Sequence, residues 1–231
     1  TCSDGVMRGI FQFLGAESTG RWAGRRVQPQ NLPRPTCSQE EIERRIEEFD
    51  FNSLQEVADC LRAMVSMVKG HEMVAADFSA IEARVLAWLA GQQDVLEVFL
   101  SGGDLYKHAA TGIFHADYDD VTKDQRQIGK VAILALGYQG AKGAFNSMAK
   151  NYGVELPARE VEEIVDGWRS ANSKIVKYWY DLERVATKAI NNKGKKFKVG
   201  SVIFTHKRGH LWIGLPSGRK LCFPRAKIGK I

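Results

Sequence analysis

Hydrophobic residues recur at helical spacing through most of the chain, and the period changes to two only near its end. This spacing predicts helices over residues 39–49 and 54–68, followed by helical stretches over 92–152 and 157–191 with a break near 171–173. From Lys196 to Pro224 the alternation predicts strands joined by turns at 207–209 and 216–218. The pattern therefore predicts an α+β chain, with two core stripes formed by Val161, Ile164, Val165 and Trp168 and by Ile175, Tyr178, Trp179 and Leu182.

One carboxylate stands where a short apolar segment meets a helical pattern. Residues 73–76 predict a strand that ends at Asp77, and an apolar face at Ile81, Val85, Leu86 and Leu89 predicts a helix that stops at Gly91. An acid at such a junction is held rigidly beside a core and suits a metal ligand. An aspartate there also commonly caps the following helix, so this segment alone leaves both roles open.

A second segment places two cations, an apolar side chain and a phenol on one helical face. Arg126, Lys130, Leu134 and Tyr138 recur every fourth residue, a step that drifts only about 40° around a helix. Cations followed by apolar and aromatic groups match the phosphates, sugar and base of a nucleoside triphosphate. The alternative is an amphipathic helix with solvated Arg and Lys and a buried Leu and Tyr. Thr122-x-x-Gln125 predicts where this helix begins.

Together the two segments resemble motifs A and B of the family A DNA polymerases, the bacterial DNA polymerase I and phage replicative type. Motif A matches as Asp77-Phe-Ser-x-Ile-Glu82-x-Arg84, and motif B matches as Arg126-x3-Lys130-x3-Leu134-x3-Tyr138. A third block, from Thr19-Gly-Arg21 to Gln30-Asn31-Leu-Pro-Arg34, resembles the family's palm segment. The three blocks follow the family's order, and the resemblance covers essentially the whole chain.

The resemblance implies template-directed transfer of a nucleotide from a dNTP to a primer 3′-hydroxyl by a two-metal mechanism. Asp77 would be one of the carboxylates that hold two Mg²⁺ ions, and Arg126, Lys130, Leu134 and Tyr138 would line the dNTP site. Glu82 would crowd the sugar 2′ position and favour deoxynucleotides. Primer–template DNA would contact Thr19, Arg21, Gln30, Asn31 and Arg34 through its backbone.

The same resemblance implies a partial palm over residues 1–90, helical fingers over 91–191, and strands over 192–231 that return toward the palm. Motif C, the His-Asp-Glu hairpin with the second metal carboxylate, is missing, so we expect a fragment of a longer polymerase that is inactive alone. Leu134 replaces the usual Phe or Tyr of motif B, which together with the compact spacing looks phage-like. In the block from Asp104 to His108, Tyr106 replaces the usual His.

Two alternatives stay open. A single-subunit RNA polymerase has a similar Arg and Lys helix, although Glu82 argues against an enzyme that must admit a 2′-hydroxyl. A non-catalytic nucleic-acid-binding module would bind primer–template with a steep salt dependence and show no metal-dependent turnover.

Composition is compatible with a nucleic-acid partner. The 231 residues are 44% hydrophobic, and 33 Lys and Arg against 27 Asp and Glu give a net charge of +6. Four separated cysteines without a Cys-x-x-Cys pair favour reduced thiols and a cytoplasmic protein, in the host cytoplasm if the source is viral. No apolar run approaches the roughly 18 residues of a membrane span, and the sequence gives no indication of the oligomeric state.

Overall fold

The computed structural model describes residues 3–16, 19–65, 67–74 and 76–229. Within them, helices and antiparallel sheets form an α+β architecture in two compact units, Thr1–Asp77 and Phe78–Ile231. Ala75, within the predicted strand 73–76, and Lys230, in the basic C-terminal run, lie outside the described residues. In the described part of the chain no helix is both long and apolar enough to cross a membrane.

The first unit contains a two-stranded ribbon and two helices. Strands β1 (Phe11–Gln12) and β2 (Ala23–Gly24) pair antiparallel, and helices α1 (Gln39–Glu48) and α2 (Leu54–Leu61) follow. Ser38 and Ser53 cap these helices by accepting hydrogen bonds from backbone N–H groups in the first turn. The buried Asp59 accepts bonds from the Thr36 N–H and hydroxyl, which ties α2 to the segment before α1.

Two predictions for this unit are wrong. The helix predicted over 54–68 ends at Leu61, and the apolar side chains of Met64, Met67 and Val68 are exposed, so no packing surface sustains further turns. The strand predicted over 73–76 is absent at its described residues, where Met73 and Val74 are largely exposed. A strand needs a hydrogen-bonded neighbour, and no strand among the described residues pairs with this segment.

The second unit is a helical assembly followed by a four-stranded sheet. Its helices are α3 (Ile81–Ala90), α4 (Gln93–Leu100), α5 (Leu105–Phe114), α6 (Lys123–Leu136), α7 (Lys142–Asn151), α8 (Ala158–Ala171) and α9 (Ser173–Asn191). Strands β3 (Lys196–Val199), β4 (Val202–Lys207), β5 (His210–Gly214) and β6 (Lys220–Phe223) form an antiparallel meander in chain order. The change of period after Asn191 and both predicted turns are confirmed.

The core of this unit follows the predicted stripes. Trp168 of α8 and Trp179 of α9 are buried and stacked with their ring centroids 5.9 Å apart. Phe145 and Leu136 complete the same cluster with no exposed surface. The inner face of the sheet packs on α9 through a second cluster formed by Val185, Ala189, Val202, Phe204 and Leu211.

The predicted face of α3 is wrong in part. The helix ends at Gly91 as expected, but Ile81 and Val85 are 42% and 43% exposed. The residue fully buried in this helix is Ala87, which clusters with Ala80, Ala83 and residues of α4 and α5. Small side chains let α3 approach its neighbours closely, so the larger residues remain at the edge of the contact.

Candidate functional site

Helix α6 begins where the sequence predicts and carries both motif cations. Thr122 and Gln125 form a reciprocal capping box, with the Thr122 hydroxyl bound to the Gln125 N–H at 3.2 Å and the Gln125 amide oxygen bound to the Thr122 N–H at 3.0 Å. The capping box therefore fixes where the helix begins, and its second member, Gln125, directly precedes Arg126. The backbone therefore presents Arg126, Lys130 and Leu134 on successive turns of one face.

An ion pair joins Arg126 to the start of the neighbouring helix. The Arg126 Nε donates to Asp104 Oδ2 at 2.6 Å, while Asp104 Oδ1 accepts from the Tyr106 and Lys107 N–H groups at 2.8 and 3.2 Å. Burial is the largest single effect on the pKa of Asp104 and raises it, but the Arg126 bond and the two N–H bonds together lower that pKa below its usual value. Asp104 therefore caps α5 and fixes the guanidinium of Arg126 at once.

Aromatic rings lie beside both cations. The Arg126 guanidinium carbon lies 5.3 Å from the centroid of the Tyr106 ring, and the Lys130 Nζ lies 6.0 Å from the same centroid. Lys130 Nζ also lies 4.6 Å from the centroid of the Tyr152 ring, just after α7. Cations over ring faces are held by the ring quadrupole with little loss of charge. Tyr106 thus orients the two motif cations in this chain.

The close packing of α5 on α6 depends on a glycine. A Cβ built on Gly129 would lie 2.2 Å from the Tyr106 carbonyl oxygen and 3.1 Å from the Ala110 nitrogen. No side chain fits at such a distance from backbone atoms. Gly129 therefore permits the approach that brings Asp104 and Tyr106 to Arg126.

The far end of the motif face meets helix α3. Tyr138 lies in the turn after α6 rather than on the helix, and its hydroxyl donates to Glu82 Oε2. Leu134 is 36% exposed and Tyr138 is 64% exposed, so the predicted alternative with both side chains buried is wrong. The exposed Leu134 and Tyr138 leave an apolar and aromatic surface available beyond the cations.

Asp77 lies in irregular, exposed backbone before α3. The alternative in which it caps that helix is wrong, because the N-cap residue is Ala80, in the left-handed conformation and with no side-chain cap. No group of three or more His, Cys, Asp or Glu side chains that could hold a metal occurs in the described residues. Asp77 alone supplies one carboxylate, so these residues do not make up a two-metal centre.

The predicted DNA-contact residues lie on the surface of the first unit. Thr19 accepts a 3.4 Å hydrogen bond from the Arg21 N–H, and Asn31 donates to the Gln28 side chain at 2.7 Å from the end of the 3₁₀ helix Pro29–Asn31. Thr19, Arg21, Gln30, Asn31 and Arg34 are all exposed. Their side chains can therefore reach a polyanion in solution.

Sequence reasoning missed the contacts that hold the cations. Tyr152 carries no motif, and only the folded packing of α7 brings its ring to Lys130. Asp104 could have been identified as a helix N-cap from its position before an apolar run. The hydrogen bond between Asp104 and Arg126 joins residues 22 positions apart, so no local sequence pattern predicts it.

The family model for DNA polymerase family A matches residues 7–195. That match covers most of the chain, so the chain belongs to DNA polymerase family A.

Individual relatives agree with this assignment. The chain is 42% identical to the DNA polymerase of Bacillus phage SP02 over 98% of its own length and 37% of the relative's. It is 27% identical to DNA polymerase I of Aquifex aeolicus over 62% of the chain and 24% of that protein, and 31% identical to the DNA polymerase of Mycobacterium phage D29 over 56% and 21%. The chain therefore spans well under half the length of these curated relatives, and phage enzymes are among them.

Proposed function

We propose that this chain forms the nucleotide-binding and DNA-contacting part of a polymerase that extends a primer 3′-hydroxyl with dNTPs on a DNA template. The observation that supports this most is the pair of cations on α6, held one turn apart by Asp104, Tyr106 and Tyr152. Residues 1–90 would belong to the palm, 91–191 to the fingers, and 192–231 to strands returning toward the palm.

In this proposal Arg126 and Lys130 bind the triphosphate. Arg126 uses its Nε on Asp104, which leaves the two Nη groups to donate to phosphate oxygens. Lys130 brings three donors on a flexible stem and, among the described residues, lies near two aromatic rings and forms no ion pair, so no carboxylate offsets its charge there. Both cations would stabilise negative charge as it moves toward the leaving pyrophosphate.

The Glu82–Tyr138 pair would select the sugar. A carboxylate held by a phenol hydroxyl forms a fixed polar wall, at which a 2′-hydroxyl would meet steric crowding. We propose that this wall favours deoxynucleotides and that Tyr138 stacks beside the nascent base pair. Backbone contacts to primer and template would come from Thr19, Arg21, Gln30, Asn31 and Arg34.

Asp77 would supply one carboxylate of a Mg²⁺ pair in the assembled enzyme. Because the described residues do not complete such a centre, we expect the 231-residue chain alone to bind nucleic acid and nucleotides without extending a primer.

The test uses the polymerase that contains this chain and measures single-nucleotide primer extension. Arg126→Ala and Lys130→Ala should each lower kcat/KM for dNTPs by about 10- to 100-fold, the effect of one or two lost charged hydrogen bonds. Arg159→Ala is the matched control, because Arg159 on α8 is exposed and, among the residues that the structure describes, forms an ion pair only with Glu163 in its own helix. Unchanged kcat/KM in both motif variants would contradict the proposed triphosphate site.

Two further variants separate the alternatives. Asp77→Ala should abolish extension and leave primer–template affinity intact, whereas a binding module would show no extension even before the substitution. Glu82→Ala should raise ribonucleotide incorporation relative to deoxynucleotide incorporation. An unchanged ratio would remove the argument against an RNA polymerase-like sugar site.

A further inference from the structure

The positive charge of this protein is concentrated in its last 40 residues. Residues 192–231 contain eleven Lys and Arg and no Asp or Glu. The remaining 191 residues hold the other 22 Lys and Arg against all 27 acids, a net charge of about −5. The net charge of +6 therefore comes entirely from the segment that forms strands β3 to β6, which lies outside motifs A and B.

Four of these eleven cations, Lys196, Lys198, Lys207 and Lys220, lie on the outer face of the sheet. Val202, Phe204 and Leu211 point inward and are buried against α9, so the alternate residues face outward. Strand pairing aligns these outer residues in two rows: Lys196, Thr205, Trp212 and Cys222 in one, and Lys198, Ile203, Gly214 and Lys220 in the other. Lys207 pairs with His210 at the end of the same face.

Trp212 lies at the centre of this face. It is partly exposed, and a shallow groove of about 340 Å³ runs beside it, lined among others by Lys196, Thr205, Lys207 and Lys220. The His210 ring lies at a centroid distance of 6.4 Å from Trp212 and at an angle of 73° to it, and Trp212 itself lines the groove. None of the ion pairs in the described part of the chain involves these lysines.

A partly exposed tryptophan surrounded by lysines suits a strand with negative phosphates and unpaired bases. Lysines bind the backbone without regard to sequence, and an aromatic face stacks on any base that is not already stacked in a duplex. Duplex DNA offers the phosphates but not the base faces. Lysines and an indole contain no group that selects a ribose 2′-hydroxyl, so RNA should gain nothing over DNA from them. Because the chain belongs to DNA polymerase family A, single-stranded DNA is the expected ligand.

From these observations we propose that the outer face of β3 to β6 is a second nucleic-acid site, which binds single-stranded DNA of any sequence by stacking a base on Trp212. This site goes beyond the proposed polymerase function, because it uses no residue of α6 or motif A. It would hold an unpaired strand while the nucleotide site works independently.

The test measures fluorescence anisotropy of a labelled dT12 oligonucleotide titrated with the full 231-residue chain. Trp212→Ala should weaken binding about 5- to 100-fold, and Trp212→Phe should recover part of that loss because it keeps an aromatic face. Trp88→Ala is the matched control, since Trp88 is 56% exposed on α3 and has no place in this sheet. Equal losses in the Trp212 and Trp88 variants, or no loss in either, would overturn the proposal.

A second measurement does not depend on the tryptophan. Lys196→Gln and Lys220→Gln should each reduce the slope of log affinity against log salt by about 0.7, whereas Lys150→Gln, on the exposed face of α7, should leave it unchanged. A 12-base-pair duplex should bind more weakly than dT12, and U12 RNA should bind no more tightly. Tighter binding of duplex or RNA, or lysine variants that match the control, would overturn the assignment to single-stranded DNA.

Discussion

Replacing Gly129 by alanine should separate the two helices that build the nucleotide site. The added Cβ would lie 2.2 Å from the Tyr106 carbonyl oxygen. Carbon–oxygen contacts in proteins settle at about 3.3 Å or more, so α5 and α6 must move apart locally by roughly 1 Å. The obstructing atom belongs to the backbone of a helix and cannot rotate away like the end of a side chain.

Two opposing contributions determine how much Gly129→Ala changes the free energy of unfolding. Alanine is more favourable than glycine in a helix interior by about 1 kcal/mol, while overpacking a fitted interior costs about 1–3 kcal/mol. Because the contact is so short, we expect the upper end of the cost and a net destabilisation of about 2 kcal/mol. For a chain of this size that lowers Tm by about 4–8 °C. The same displacement would lengthen the 2.6 Å bond between Arg126 and Asp104 and misplace the cation.

Thermal unfolding followed by circular dichroism provides the assay, with Gly143→Ala as the matched control. Gly143 is also within a helix, α7, but a Cβ there meets nothing within 4 Å. The control should therefore keep or slightly raise Tm. If Gly129→Ala proves as stable as Gly143→Ala, the two helices do not approach at Gly129 as closely as described.

Three other substitutions test separate parts of the second unit. Asp104→Asn should remove a stabilising contribution that is fully present above the ordinary carboxyl pKa and is lost as the pH falls through the lowered folded value, so its stability should vary less than the parent's in urea titrations between about pH 2 and 5. Gln92→Ala should destabilise the protein by about 1–3 kcal/mol in the same titration at pH 7, because the buried amide bonds the Ala171 carbonyl and the Lys174 N–H at the break between α8 and α9. Leu134→Tyr, in the polymerase that contains this chain, should change the ratio of dideoxynucleotide to deoxynucleotide incorporation, and equal ratios would show that the ring at this position does not affect sugar handling.

Local sequence pattern correctly predicted the elements that depend mainly on interactions between residues close in sequence. The capping box at Thr122, the glycine stop at Gly91 and the paired stripes of α8 and α9 each depend on residues within a few turns of one another. The strand over 73–76 failed for the opposite reason. A strand depends on a partner elsewhere, and a short apolar segment alone cannot show whether one is present.

The same distinction between local and distant interactions applies to the candidate site. Spacing was enough to place Arg126, Lys130 and Leu134 on one face, because helical geometry fixes it. It could not show that α5 supplies a carboxylate and a ring, or that Tyr152 reaches Lys130, since these contacts join residues 20 or more positions apart. The exposure of Ile81 and Val85 on α3 was not predicted, because large apolar side chains were expected to be buried. Alanines instead form the contact of α3 with its neighbouring helices.

The two cations of α6 are held in different ways, and this difference divides their work in the proposed site. Arg126 is bound by a carboxylate, which lowers the net charge presented to a triphosphate but removes much of the roughly 2 kcal/mol of rotamer entropy that a free arginine would lose on binding. Lys130 lies near the Tyr106 and Tyr152 rings and forms no ion pair among the described residues, so its ammonium group is free to follow phosphate oxygens as they move. Arg126 is thus suited to fix the position of the nucleotide and Lys130 to stabilise charge that develops during transfer. On this argument Arg126→Lys should act mainly through KM and Lys130→Arg mainly through kcat, because each exchange removes the property that its position requires.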